Sequence, residues 1–503
     1  MTTAIPAGAA DPKPVTNRWV LTGSVSCAVL VAAISLFRIS RALPNDALLD
    51  HVSGVWITMA SDLAEGVFYR PFFSETGYGG SRYFPLHFAL QALLIKAGVD
   101  PIRSGYIIDL CSAAALVTAV SFFLRRFGLP PAFSAATAVL ILAPPPVQHS
   151  ITTIRGDLLP AALNAWGLFF AARLLGPSAG RSDVRWAGLF FGLAFSAKAT
   201  SVFGLAAAFL ALYFANRRKK AWQVLAWAVA LMIIFLAVAS ALSRGRLLDY
   251  MLECGAGGIT WETLRQMPGS ILRSYGIGVI LVLLGLGAIL SNLPKTWTTL
   301  PALWAMTSLV ATSVLFASPG VWFNHLVDPL AAVVVAFAAI MWARKPQSIL
   351  LFLLPVAATL CLFGSLLMFG AEDGVPERAH LREVAAAAPA SEKPLLAENN
   401  LIPLLNHERP YLLDCFSFRA LALKDPAVGR RLREDLRQHR FRAVILYCDP
   451  GTESGREWYR DTHFGPGFAE AVCRSYRLHA RTHDYFIFVP EAHNSRSASA
   501  RDE

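Results

Sequence analysis

Stretches of about twenty mostly apolar residues recur along this chain, and short Lys/Arg clusters separate them. A bilayer core about 30 Å thick needs roughly that length per helix, and a backbone without water must satisfy its own hydrogen bonds. The stretches fall at 19–37, 105–124, 132–149, 158–175, 186–197, 199–216, 221–242, 274–293, 298–317, 324–342 and 348–369. The expected fold is therefore an α-helical polytopic membrane protein with about eleven transmembrane helices, the stretch 186–197 being short for a crossing. Only 16% of the residues are charged, against about 25% in soluble proteins. A net charge of +11 would point to nucleic acid in a soluble chain. Here the basic residues sit between apolar spans, which argues against nucleic-acid binding.

Those basic residues also orient the chain. Arg125-Arg126, the segment from Arg173 to Arg185, Arg217-Arg218-Lys219-Lys220, Lys295 and Arg344-Lys345 fall on alternate connections. The positive-inside rule places them in the cytoplasm. Residues 1–18 then form a cytoplasmic tail, and the stretch after it is too long for a cleaved signal peptide. Residues 19–370 form the membrane domain, with an extracytoplasmic loop at 38–104 in which Pro85–Lys96 lies along the interface. A second outer segment runs from about Ser243 to Arg273.

From 371 the composition turns polar. Residues 371–490 read as a small extracytoplasmic α/β domain, and 491–503 as a disordered tail. Strands are expected at Pro394–Glu398, Tyr411–Asp414 and Ala443–Tyr447, a helix at Val428–Gln438, and a hairpin from Tyr476–Ala480 and Tyr485–Val489. None of the seven cysteines has metal-type spacing. Cys254, Cys415, Cys448 and Cys473 would face an oxidising compartment, where a disulfide of undeduced pairing could form.

Polar groups at the ends of apolar helices are costly unless paired, hydrated or used. Four places qualify. Asp50 can act as a general base or ligate a metal, with His51 beside it for either role; Asp46 and Asp62 are nearby competitors, and Asp62 reads equally well as a solvated acid. Arg155 can hold a phosphate or pair with Asp157, and Asp157 can equally serve the dipole of the helix it begins. Lys198 needs an anion, either ligand phosphate or a structural carboxylate. Asn324, His325 and Asp328 can share one helix face, or cap and anchor it.

The order of these features resembles the GT-C membrane glycosyltransferases, the superfamily of the protein O-mannosyltransferases and the lipid A aminoarabinose transferase. The match starts in the first loop with Asp50, then Met59 through Tyr69, then Gly77-Tyr78 and Tyr83-Phe84-Pro85-Leu86. It continues through Arg155-x-Asp157, Ala197-Lys198-Ala199-Thr200, and Gly320 with Asn324-His325 and Asp328. Two positions depart from the family pattern: its paired acids are Asp50-His51 here, and its Tyr-x-Pro-Pro ends in Leu86.

The resemblance implies an inverting transfer of a sugar from a polyprenyl-phosphate donor to an extracytoplasmic acceptor: an envelope lipid, glycan or protein. The setting would be a bacterial inner membrane. Asp50 and Asp157 are the implied catalytic residues, Asp50 as base and Asp157 orienting acceptor or cation. His51, Tyr83, Arg155, Lys198, Asn324, His325 and Asp328 would bind substrate. A divalent cation such as Mg or Mn is not required by the sequence; Asp50, His51 and Asp157 would be its ligands. A transporter or flippase, and a non-catalytic scaffold, remain the alternatives.

Overall fold

Proline, more than hydropathy, decides where the apolar stretches break. The computed structural model describes residues 18–44, 48–177, 179–255, 260–275, 278–291, 293–296, 298–318, 321–344, 348–373, 381–482 and 484–491. The N-terminal and C-terminal tails expected from the sequence, together with Asp46 and Gly320, lie outside the described residues.

Each apolar stretch named above contains helix among the described residues. The one expected at 132–149 is not a single helix. Pro144, Pro145 and Pro146 split it into Pro131–Leu140 and Pro145–Thr152, because proline lacks the N–H and its ring clashes with the preceding turn. Among the described residues, six helices are long and apolar enough to cross a membrane: Arg18–Ala42, Pro101–Arg125, Leu158–Leu175, Arg218–Leu242, Phe323–Arg344 and Ile349–Leu367. Pro131–Leu140, Phe203–Phe214, Gly278–Leu290 and Leu300–Leu315 are shorter apolar helices. Arg181–Ala197 completes the set.

Two compact units emerge, and neither is continuous in sequence. The first holds residues 1–44, 83–244 and 257–375; the second holds 45–82, 245–256 and 376–503. Much of the segment that the sequence places as a loop of the membrane domain thus groups with the C-terminal residues.

Within the first unit, the apolar window of Phe323–Arg344 is 89% buried and that of Arg218–Leu242 only 22%. The former is a central helix; the latter turns most of its side chains outward, as a lipid-facing helix does. Small residues allow close approach between such helices. At Gly285 an added Cβ would stand 2.6 Å from the Cβ of Val333 on the central helix. Gly188 and Gly192, one turn apart, likewise admit Trp227 and Leu231.

The second unit is built on a four-stranded sheet. Its order is Leu395–Ala397, Ala443–Leu446, Tyr485–Pro490, Tyr476–Thr482. The first pair is parallel and the others antiparallel. The parallel pair needs a crossover, and the helices Cys415–Lys424 and Pro426–Arg437 supply it. Tyr411–Asp414 is not the strand the sequence suggested. Leu412 makes one isolated bridge, to Tyr78, and Asp414 instead caps the following helix, accepting from Phe416 N at 3.0 Å and Ser417 Oγ at 2.6 Å. Nor is Asp62 a solvated acid. It is buried, meets Arg70 through two bonds of 2.5 and 2.9 Å, and lies 3.2 Å from Arg409. None of the seven cysteines is joined in a disulfide.

Candidate active site

The first unit gathers its polar side chains where two helices fail to continue. Helix Arg181–Ala197 ends because Lys198 adopts an extended backbone (φ −156°, ψ 113°), and the next helix begins only at Phe203. This break frees Lys198 to reach Asp157, which precedes the Leu158–Leu175 helix. The Asp157 carboxylate makes no capping bond to its own helix, so a dipole role alone does not account for it. Its Oδ1 accepts from Lys198 Nζ at 2.5 Å and its Oδ2 from Asn324 Nδ2 at 2.8 Å. Asp157 is 7% exposed and Lys198 23%, so the pair is partly screened. Burial pushes the Asp157 pKa up, but Lys198, His325 and the two hydrogen bonds outweigh it and hold the carboxyl well below its usual range.

Asn324 and His325 lie in a short 3-10 turn, Phe323–Leu326, ahead of the central helix. Asp328 follows in the first turn of the helix Val327–Arg344. Asp328 points to a different set of partners. It accepts from Trp304 Nε1 at 2.8 Å and from Asn164 Nδ2 at 2.9 Å, and Asn164 also donates to Ser201 Oγ at 2.8 Å. Asp157, Lys198, Ser201, Asn324, His325 and Asp328 all line one cavity of about 20 Å³, room for roughly one water. Arg155 and Tyr83 are not among its lining residues.

Arg155 is positioned by a different acid. Its backbone N–H donates to Asp109 Oδ2 at 3.0 Å, while Asp109 Oδ1 meets His87 Nε2 at 3.1 Å. Asp109 and His87 are both fully buried. Sequence reasoning passed over Asp109, His87, Asn164 and Trp304. An ionisable or amide side chain inside an apolar helix was the available signal for Asp109 and Asn164; Trp304 offered none. Tyr83 is half-buried at the entry to the helix Pro85–Lys96.

Asp50 and His51 belong to the second unit. Asp50 caps the helix His51–Ala64, its Oδ1 accepting from Ser53 N at 3.0 Å and Ser53 Oγ at 3.2 Å. His51 meets His463 edge-on, with ring centroids 4.6 Å apart, and Tyr447 at 6.3 Å. Burial first and His463 second push the His51 imidazole down to about 4, against the opposing pull of Asp50, Glu398 and Asp414.

A divalent cation does not fit these donors. Among the described residues no three His, Cys, Asp or Glu side chains are grouped to hold a metal. Asp157 is surrounded instead by a lysine, an amide and a histidine.

The fold has known counterparts. ArnT from Cupriavidus metallidurans, solved bound to undecaprenyl phosphate, superposes with a TM-score of 0.61 at 13% identity, over 92% of this chain and 98% of that one. Residues 83–319, just under half of the chain, match Glycosyltransferase family 87. The chain thus has the fold of ArnT, and part of it is similar to Glycosyltransferase family 87. A second structural match is the Archaeoglobus fulgidus oligosaccharyltransferase AglB, solved with an inhibitory peptide and a dolichol-phosphate. Its TM-score is 0.58 at 11% identity, covering 93% of this chain and 74% of that one. No curated protein sequence matches. The family match takes in Asp109, Arg155, Asp157 and Lys198, and does not reach Asp50 or Asn324.

Proposed function

We propose that this glycosyltransferase moves a sugar from a polyprenyl-phosphate donor to an acceptor outside the cytoplasm. The observation that carries the reading is Lys198, a cation held at a cavity by Asp157 in a fold whose relative ArnT was solved with undecaprenyl phosphate. A lysine that keeps 23% of its surface exposed while paired can turn toward a second anion.

Asp50 takes the proton of the acceptor hydroxyl as that oxygen attacks the anomeric carbon. The new C–O bond forms as the bond from that carbon to the phosphate oxygen breaks, and the leaving phosphate keeps the electron pair. Lys198 and Arg155 stabilise its growing charge. Asp157 and Asn324 position Lys198, and His325 and Asp328 shape the same cavity. Attack opposite the leaving group inverts the anomeric centre. Tyr83 and His51 contact substrate. The acceptor is an envelope glycan, lipid or protein. The protein works in a bacterial inner membrane, with its N-terminus in the cytoplasm and its C-terminal segment outside, as the positions of Arg125-Arg126 and Arg217-Arg218 favour.

The test uses the full chain in nanodiscs with undecaprenyl-phosphate-linked arabinose, mannose and glucose, and reads release of undecaprenyl phosphate. Asp50→Asn is expected to abolish release without weakening undecaprenyl-phosphate binding, and Lys198→Ala to weaken both. Full release by Asp50→Asn would overturn the assignment of the base. Movement of the donor across sealed vesicles with no new glycosidic bond would overturn the whole reading in favour of transport.

A further inference from the structure

The loop after the strand Leu395–Ala397 touches the segment that carries Asp50. Asn399 Nδ2 donates to the carbonyl of Leu49, the residue directly before Asp50, at 3.0 Å. The same nitrogen lies 3.1 Å from the hydroxyls of both Tyr447 and Tyr485. Asn399 Oδ1 accepts from Leu401 N at 3.1 Å, so the amide is oriented from both ends. In the first turn of the Asp50-capped helix, a Cβ added to Gly54 would stand 2.9 Å from Asn399 Oδ1.

Beside Asn399 lies Glu398, 1% exposed. Its carboxylate accepts from Trp458 Nε1 at 2.8 Å, Tyr459 OH at 3.0 Å and Tyr447 N at 2.9 Å, and it holds His463 through Nδ1 at 2.5 Å. A carboxylate on one ring nitrogen sets the orientation of an imidazole, and this imidazole braces the ring of His51. A buried, fully bonded carboxylate contributes little net stability over an apolar replacement. Its contribution here is geometric.

We propose that Asn399 and the Glu398–His463 pair are positioning residues for Asp50: from the C-terminal segment, they fix the Leu49–His51 backbone and thereby aim the carboxylate at the acceptor hydroxyl. The proposal rests on Asp50 being the base. A misplacement of about 1 Å is enough to cost roughly a hundredfold in rate.

The experiment compares Asn399→Ala, His463→Gln and Gly54→Ala with Asp50→Asn in the full chain in nanodiscs. Gly54→Ala pushes on the clamp from the Asp50 side without deleting a hydrogen bond, and keeps the test decisive if Asn399→Ala fails to fold. A ten- to hundredfold fall in kcat is expected, with KM for the undecaprenyl-phosphate-linked sugar and affinity for undecaprenyl phosphate unchanged. Melting temperature should stay close to that of the parent. Full activity in folded Asn399→Ala and Gly54→Ala, with Asp50→Asn inactive, would overturn the positioning role alone. A loss that appears equally in lipid affinity or in melting temperature would show ordinary structural damage and overturn it as well. An active Asp50→Asn would overturn the prior assignment of the base.

Discussion

Replacing Lys198 by Met removes the cation from Asp157 while keeping an unbranched side chain of similar length. Breaking a buried ion pair by deleting one partner costs about 3–5 kcal/mol, because the other charge is left uncompensated. Lys198 is 23% exposed and Asp157 retains the Asn324 amide at 2.8 Å, so screening brings the cost below that range, to about 2–3 kcal/mol. Adding Asp157→Asn removes the stranded carboxylate. The double variant should recover most of that loss, giving a coupling of about 2 kcal/mol in a double-mutant cycle. Catalysis should not recover with stability. If Lys198 meets the leaving phosphate, its loss costs roughly a hundred- to a thousandfold in kcat, the effect of one donor on a developing oxyanion. The assay is thermal unfolding in detergent, read beside release of undecaprenyl phosphate, for both single variants and the double. A double variant that regains stability and transfer together would refute the reasoning, since Lys198 would then serve only the fold. Additive destabilisation would refute the pairing itself.

Gly77→Ala should destabilise the second unit by more than about 3 kcal/mol. The backbone there has φ +132°, and a Cβ would stand 1.9 Å from the carbonyl oxygen of Tyr411, so a lowered melting temperature is expected and an unchanged one would contradict the packing. The imidazole of His51, held at about 4 against an ordinary 6.5, is protonated more readily in the unfolded chain. Its contribution to stability is complete above pH 6.5 and is lost as pH falls toward 4, by up to about 3 kcal/mol. His51→Gln should flatten the melting temperature between those limits relative to the parent, and identical pH profiles would show that the ring is not held neutral.

Helix content was legible because it is a short-range property. Apolar length alone predicts the helices at 158–175 and 221–242, whose observed bounds are Leu158–Leu175 and Arg218–Leu242. Where local chemistry competes with hydropathy, length alone was insufficient, and the prolines at 144–146 divided one stretch into two helices. Lys198, Asp157, Asn324 and His325 were recognisable singly as polar groups at the ends of apolar segments. That they share one cavity was not legible. Lys198 lies 41 residues from Asp157, and Asn324 lies 167 residues from it. Which distant groups meet depends on how helices pack, and no local pattern encodes that.

The same reason separates the two acids first singled out. The sequence by itself determined that Asp157 would stand at a helix start, since it precedes the apolar stretch 158–175, and placed Asp50 in the outer loop after the first stretch. In the structure Asp50 bonds Ser53, three residues on, and so caps its own helix; only the tertiary structure decided that Asp157 turns away from its helix to a lysine and an amide from elsewhere in the chain. Capping needs neighbours three residues away and is written locally. An ion pair across helices exists only after burial has brought its partners together and excluded the water that would otherwise solvate them.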